Sequence, residues 1–140
     1  MIVDASVILR AFFPDEQQAQ AQALVRDHIS GHIELAAPTL LSYELANGVW
    51  QAERRGRISA EEGAAILTAF EDLGIALQPV AWPDVLALAR QFDRTAYDAA
   101  YLALAQALGQ ELITGDRRLF NAVRQHLDWV RWIGESESAD

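Results

Sequence analysis

Short apolar segments alternate with longer segments of helical periodicity along this chain. Five segments have the length and composition of buried strands: Ile2–Val3, 34–37, 75–80, 111–114 and 129–133. Strands that alternate with helices favour a parallel sheet covered by helices on both faces. We therefore predict a three-layer α/β/α fold with a central parallel sheet.

The segments between the strands carry helix start and stop signals. Ser6 is placed to cap the first helix, and Ser59 begins a capping box with Glu62. We predict helices from residue 7, over 14–30, 38–56 and 60–74, from residue 83, and over 96–109 and 116–126. Since 38–74 contains no predicted strand, two helices should form a small lobe there.

Two carboxylates follow directly after predicted strands. Asp4 comes after the first strand, and Asp116 comes after the strand that ends at Thr114. Ser6 and Thr114 add hydroxyl groups at equivalent positions. Because ligands bind at the carboxyl ends of parallel strands, these side chains should meet at one edge of the sheet.

Two further carboxylates lie in apolar surroundings. Glu44 is the only charged residue between Leu35 and Ala52, and Asp98 is the only one from Thr95 to Gln110. Burying an unpaired carboxylate costs several kcal/mol, as a rough magnitude, and neither segment contains a basic residue. A bound cation would compensate them, and hard oxygen ligands of this kind select Mg²⁺ or Mn²⁺.

Each of three acids also has a purely structural interpretation. Asp4 could form an Asx-turn, Asp98 lies at the third position of a helix capped by Thr95, and Asp116 could be an N-cap. A carboxylate in the middle of a helix, such as Glu44, has no capping role. The conjunction of all four favours one metal site that acts on a phosphoryl group.

The net charge of −9 argues against a nucleic-acid partner, but the distribution of basic residues qualifies this. All eleven are arginine, a residue whose planar guanidinium suits phosphate oxygens. Two clusters could bind RNA or could simply be solvated helix ends: Arg54, Arg55 and Arg57, and Arg117 with Arg118.

Composition bounds the compartment and the domain organisation. The chain has 140 residues and no cysteine, and no apolar run reaches the length of a membrane span. The beginning of the chain lacks the basic region of a secretory signal. We expect one domain over residues 1–134, a disordered acidic tail at 135–140, a cytoplasmic protein and no membrane partner.

The acidic motifs resemble those of the PIN domain family, and within it the VapC-type toxins of toxin–antitoxin pairs. The resemblance is carried by Ile-Val-Asp-Ala-Ser at Asp4, by Leu-Ser-Tyr-Glu-Leu at Glu44, by Tyr-Asp-Ala-Ala-Tyr at Asp98 and by Thr-Gly-Asp at Asp116. It covers the chain from Met1 to about Ile133. It implies a central first strand, Mg²⁺ or Mn²⁺ bound by the four acids, endoribonuclease activity on RNA, a cognate antitoxin and a homodimer.

Other interpretations of the acids are weaker or remain open. Haloacid-dehalogenase-like phosphatases and response-regulator receivers use a lysine, and this chain has none. A non-catalytic protein-binding module with the same fold remains an alternative. A DNA nuclease of the same fold is the nearest alternative enzyme.

An antitoxin would need a docking surface. The predicted helices over 14–30 and 38–56 carry more apolar side chains than one core stripe can hold: Leu24, Ile29, Leu40, Val49 and Trp50. We predict that some of them line a groove for an amphipathic antitoxin helix, with Trp50 as an anchor.

Overall fold

The computed structural model describes residues 1–135 and contains a five-stranded parallel sheet. The strands are β1 (Ile2–Val3), β2 (Ala36–Pro38), β3 (Ala76–Gln78), β4 (Leu112–Thr114) and β5 (Val130–Trp132). They lie in the order β3-β2-β1-β4-β5, so the first strand is central, as the resemblance implied. Ile2 lies opposite Ala36 on one side and Leu112 on the other.

Within residues 1–135, seven α-helices complete the three-layer α/β/α fold. They are α1 (Ala5–Phe12), α2 (Ala19–Ile29), α3 (Leu40–Arg54), α4 (Ala60–Leu73), α5 (Trp82–Phe92), α6 (Ala96–Leu108) and α7 (Arg117–Val123). A short 3₁₀ helix, Ile133–Glu135, ends the described chain. The tail predicted at 135–140 lies outside the described residues, apart from the backbone of Glu135.

The predicted helical lobe is confirmed. Helices α3 and α4 pack against each other around a small core that is separate from the main one. This core contains Phe13, Val49, Ala52, Ile58 and Ile66. It places α3 beside α1, and this carries Glu44 toward the end of β1.

Local stop and start signals determined several helix ends. The Ser59 side chain and the Glu62 side chain form the predicted capping box of α4, and Gly74 ends that helix in the left-handed region at φ 62°. Thr95 accepts a hydrogen bond from the Asp98 backbone and begins α6, which ends before Gly109 at φ 64°. Since residues other than glycine rarely adopt positive φ, these two glycines fix where the helices stop.

Three predicted helix starts are wrong. The first helix begins at Ala5 and not at residue 7. The next two are shifted because tertiary contacts take the residues elsewhere. The second helix begins at Ala19 and not at Pro14, since Asp15 and Glu16 turn outward to bind Arg57. The third begins at Leu40, because Pro38 is the last residue of β2 and pairs with Gln78 of β3.

The central strand has no exposed surface, and its end delivers the first acid. Ile2 and Val3 are fully buried, and Asp4 follows them at the carboxyl edge of the sheet. Thr114, the last residue of the neighbouring strand β4, is also fully buried there. None of the helices within residues 1–135 combines the length and apolar character that crossing a bilayer requires.

Candidate active site

Asp4 occupies the N-cap position of α1, but its side chain makes no capping hydrogen bond. Its two carboxylate oxygens instead accept hydrogen bonds from the hydroxyls of Ser6 and Thr114. The Ser6 hydroxyl also accepts a hydrogen bond from the Gly115 backbone at 2.8 Å. The prediction of Ser6 as the helix cap is therefore wrong, because its hydroxyl binds Asp4 and the Gly115 backbone instead. The structural alternative for Asp4, an Asx-turn, does not describe a side chain that binds the Ser6 and Thr114 hydroxyls.

Burial governs the charge of Asp4. Only 5 % of the residue is exposed, and this burial raises the pKa of its carboxyl from 3.8 to about 6. The Ser6 and Thr114 hydrogen bonds oppose the rise, and the negative charge of Asp116 adds to it. The site therefore holds a carboxylate that is costly to ionise unless a cation is present.

Glu44 reaches the same edge from the lobe. It is half-buried on α3, and the Tyr101 hydroxyl donates a hydrogen bond to its Oε1 at 2.5 Å. Burial raises the pKa of the Glu44 carboxyl, the Tyr101 bond lowers it, and the charges of Asp98 and Asp116 raise it further. Glu44 thus lies within the field of two other acids.

Asp98 does not lack a cation, contrary to the sequence prediction. Arg94, the residue before Thr95, donates to Asp98 Oδ2 from Nε at 3.1 Å and from a terminal nitrogen at 2.9 Å. The pair spans the i,i+4 interval across the start of α6 and is about one-fifth exposed. Arg94 lies just outside the apolar segment that contains Asp98, so the composition of that segment does not reveal it.

Asp116 is the N-cap of α7, so its structural interpretation is correct. Its Oδ1 accepts hydrogen bonds from the backbone amides of Arg118 at 2.9 Å and Leu119 at 3.3 Å. Its own backbone amide donates to the Thr114 hydroxyl at 2.9 Å. These capping hydrogen bonds fix the position of Asp116, which also faces the other three acids.

All four acids line one cavity of about 270 Å³ at the carboxyl edge of the sheet, which we call the acidic cavity. Its other lining residues are Ala5, Ser6, Leu9, Asn47, Gly48 and Tyr101. Tyr101, Arg94 and Asn47 are residues of the site that were not predicted from the sequence. The i,i+3 spacing of Asp98 and Tyr101 on one helix and of Glu44 and Asn47 on another could have found two of them.

The donor chemistry of the acidic cavity suits a hard divalent cation, although the site is not preformed. Within residues 1–135, no three carboxylate or imidazole side chains stand close enough together to hold a metal ion. Asp98 is turned toward Arg94, and Asp116 toward the amides of α7. Four carboxylates around one cavity are nevertheless the ligands that Mg²⁺ and Mn²⁺ prefer. The assignment of these residues as metal ligands stays a prediction.

The predicted arginine clusters divide in three dimensions. Arg55 and Arg57 line a second cavity next to the acidic one, whereas the Arg54 guanidinium lies 5.8 Å from the centre of the Trp50 ring. Arg117 stacks on Trp132 at 3.9 Å, and the Arg118 side chain is exposed. Their role in binding RNA stays a prediction.

The five apolar side chains considered for a groove divide between the core and the surface. Leu24 and Val49 are 7 % and 3 % exposed and belong to the core. Trp50 is 54 % exposed and Ile29 is 67 % exposed, so these two remain available at the surface. The role of Trp50 as an anchor for an antitoxin stays a prediction.

We expect Glu44→Gln to leave the free energy of unfolding without metal unchanged or to increase it. Glutamine keeps an oxygen that accepts the Tyr101 hydrogen bond, and it removes a half-buried charge that two acids repel. The variant should also lose much of the stabilisation that added Mg²⁺ provides. Thermal melts with and without Mg²⁺ measure both effects, with the exposed Glu71→Gln as control. A metal-free loss of about 1–3 kcal/mol would instead make Glu44 a structural hydrogen-bond partner.

We expect Arg94→Gln to tighten Mg²⁺ binding by up to about fivefold, because a partly exposed ion pair worth roughly 0.2–1 kcal/mol no longer competes for Asp98. Titration calorimetry with Mg²⁺ measures the change. Arg90→Gln removes an exposed arginine one turn earlier on α5 and should leave the affinity as it is. Weaker binding in Arg94→Gln alone would mean that Arg94 positions Asp98 and does not compete with the ion.

The fold and the site together define a class of protein: a three-layer α/β/α protein whose parallel sheet carries four carboxylates around one cavity at its carboxyl edge. Within that class, the chain belongs to the PIN domain family: the PIN domain profile matches residues 1–125. This confirms the family that the four acidic motifs indicated.

Three curated relatives support the assignment. The chain is 37 % identical over 123 residues to "Ribonuclease VapC3" of Pyrobaculum aerophilum, an alignment that covers 85 % of this chain and 91 % of that protein. It is 34 % identical over 119 residues to "Ribonuclease VapC9" of Mycobacterium tuberculosis, with coverage of 85 % and 87 %. It is 29 % identical over 99 residues to "Exonuclease VapC9" of Pyrobaculum aerophilum, with coverage of 68 % and 71 %.

A solved structure has the same fold. The crystal structure of PAE2754 from Pyrobaculum aerophilum superposes with a TM-score of 0.73 at 24 % sequence identity, and the match covers 95 % of this chain and 90 % of that one.

Proposed function

We propose that this protein is an endoribonuclease that depends on Mg²⁺ or Mn²⁺ and acts as the toxin of a toxin–antitoxin pair. The observation that carries the proposal is the meeting of Asp4, Glu44, Asp98 and Asp116 around one cavity at the end of the central strand. The curated ribonuclease relatives support the substrate. A cognate antitoxin, a homodimer and a cytoplasmic location belong to the same proposal through the family resemblance.

The four acids would hold the ion, each on a different structural support. The Ser6 and Thr114 hydroxyls keep Asp4 directed into the cavity, and Tyr101 keeps Glu44 there. Asp116 is anchored by its position at the start of α7. When bound, the metal supplies an activated water and stabilises the negative charge of the phosphoryl group.

Asp98 and Arg94 give the cavity two states of charge. With Arg94 paired to Asp98, one of the four negative charges is already balanced. If Asp98 held a metal ion instead of this arginine, the Arg94 guanidinium would have its five N–H donors available for phosphate oxygens. Arg94 would then balance the charge of Asp98 without metal and contact the substrate with metal bound.

Circular RNA separates endonuclease from exonuclease activity, which matters because one relative is named as an exonuclease. We expect the protein to convert a circular RNA into linear fragments with Mg²⁺ or Mn²⁺ and to stop when chelator is added. A circular DNA of the same sequence should stay intact. Gel electrophoresis of all three incubations measures this.

Four results would contradict the proposal in distinguishable ways. Degradation of linear RNA alone would indicate an exonuclease, and cleavage of DNA alone a DNA nuclease. Full activity in chelator would remove the metal from the mechanism. Binding of Mg²⁺ by calorimetry without cleavage of any nucleic acid would favour the non-catalytic module.

A further inference from the structure

A second cavity of about 310 Å³ adjoins the acidic cavity, and we call it the arginine pocket. Ser6, Leu9 and Gly48 line both cavities, so the two lie side by side at the contact between α1 and α3. A Cβ atom on Gly48 would stand 2.8 Å from Leu9 Cδ1, so glycine there permits this close contact. Arg10, Arg55 and Arg57 line only the second cavity.

Arg10 is held in a fixed position by uncharged partners. One terminal nitrogen donates to the Gly115 carbonyl at 2.7 Å, and the other donates to the Gln18 side chain at 3.3 Å. A Cβ on Gly115 would lie 2.9 Å from Arg10 Nε, so glycine at this position lets the guanidinium lie against the loop that carries Asp116. These contacts already fix the Arg10 guanidinium, so a ligand would not have to order it on binding.

The charges of the three arginines differ in how they are balanced. Arg57 is paired with Asp15 at 2.8 Å and with Glu16 at 3.4 Å. Among the described side chains, those of residues 1–134, no carboxylate forms a salt bridge with Arg10 or Arg55. The pocket therefore holds two unbalanced positive charges next to a cavity of four acids, in a protein whose net charge is −9.

We propose that the arginine pocket binds a backbone phosphate of the RNA next to the phosphate that is cleaved, with Arg10 and Arg55 as its cations. This inference rests on the proposed function. Neighbouring cavities of opposite charge fit a polyanion whose cleaved phosphate is balanced by metal and whose next phosphate needs a guanidinium. The pocket would thus offset the repulsion between the acidic protein and RNA and fix which bond reaches the acids.

The experiment compares Arg10→Gln and Arg55→Gln with Arg54→Gln. Arg54 is adjacent to Arg55 in sequence, but its guanidinium lies 5.8 Å from the centre of the Trp50 ring and does not line the pocket. Binding of a fluorescently labelled single-stranded RNA is measured by anisotropy at several salt concentrations, with Ca²⁺ in place of Mg²⁺. We expect each pocket variant to bind about tenfold more weakly, as loss of a charge-assisted contact predicts. We also expect the slope of its log association constant against log salt concentration to become less steep by about 0.7.

Arg10→Lys guards against a purely structural effect, because it restores the charge without the guanidinium hydrogen bonds. It should recover the salt slope of the wild type. Mg²⁺ affinity by calorimetry should stay the same in all four variants, and KM should rise more than kcat falls.

Two outcomes overturn the arginine pocket while leaving the proposed function intact. One is a wild-type protein that cleaves RNA although Arg10→Gln and Arg55→Gln bind it no worse than Arg54→Gln does. The other is an acidic peptide that displaces the RNA at lower concentration than unlabelled RNA of the same charge. If the wild type neither binds nor cleaves RNA, the proposed function itself fails.

Discussion

Asp4→Asn should reduce metal-dependent cleavage of RNA by at least about 100-fold, more than the loss of an outer-shell partner usually costs. Asp4 is the most deeply buried of the four acids, and the ends of β1 and β4 both converge on it. Asparagine keeps the shape but removes the charge that binds the cation. Cleavage assays and Mg²⁺ calorimetry on the same preparation measure the loss.

The same substitution should stabilise the protein when no metal is present. A carboxyl with an unfolded pKa near 3.8 and a folded pKa of about 6 destabilises the folded state by about 3 kcal/mol above pH 6. The folded state holds the proton more tightly, so this penalty is absent below pH 3.8 and grows as the pH rises to about 6. The free-energy difference between Asp4→Asn and wild type should therefore widen over that interval.

Denaturant unfolding at pH 4, 5, 6 and 7 measures this pH dependence, and Asp128→Asn, which removes an exposed carboxylate, serves as the control. Metal binding by the wild type should strengthen through the same pH interval, since the ion binds the ionised carboxylate. An Asp4→Asn protein that cleaves normally would remove Asp4 from the site. If Asp4→Asn is less stable than wild type at pH 7, the hydrogen bonds from the Ser6 and Thr114 hydroxyls depend on the carboxylate charge.

Trp50→Ala should weaken the complex with the antitoxin by roughly 2 kcal/mol or more, as expected for an aromatic anchor. The ring is 54 % exposed on α3, on the same helix face as Tyr43, which is 76 % exposed, by the seven-residue spacing. An amphipathic helix laid on this face could direct an arginine into the neighbouring acidic cavity. Calorimetry with the purified antitoxin measures the effect.

Metal-dependent cleavage should be intact in Trp50→Ala, because Trp50 lines neither cavity. Trp82→Ala removes another exposed tryptophan, 76 % exposed on α5, and should leave the antitoxin affinity unchanged. If both variants lost the same antitoxin affinity, Trp50 would not be an anchor. Unfolding of free Trp50→Ala would show that the ring supports the contact between α3 and α4.

The order of strands and helices follows from the sequence because local signals agree with the hydrophobic pattern. The Ser59 capping box and the glycines at 74 and 109 mark helix ends whatever surrounds them. Where a long-range contact competes, the local signal fails. Arg57 takes Asp15 and Glu16 out of a helix start, and pairing with β3 takes Pro38 into a strand.

The sequence by itself determined which four acids would meet, because each lies after a strand or on an apolar helix face and parallel strands end at one edge. Only the tertiary structure decided which donors bind each acid: Ser6 and Thr114, Tyr101, Arg94 and the amides of α7. It also decided which arginines share a cavity, since Arg10 and Arg55 are 45 positions apart in sequence and come together when α1 packs on α3. Side-chain partners of this kind depend on distances between elements, and periodicity along one element carries no information about those distances.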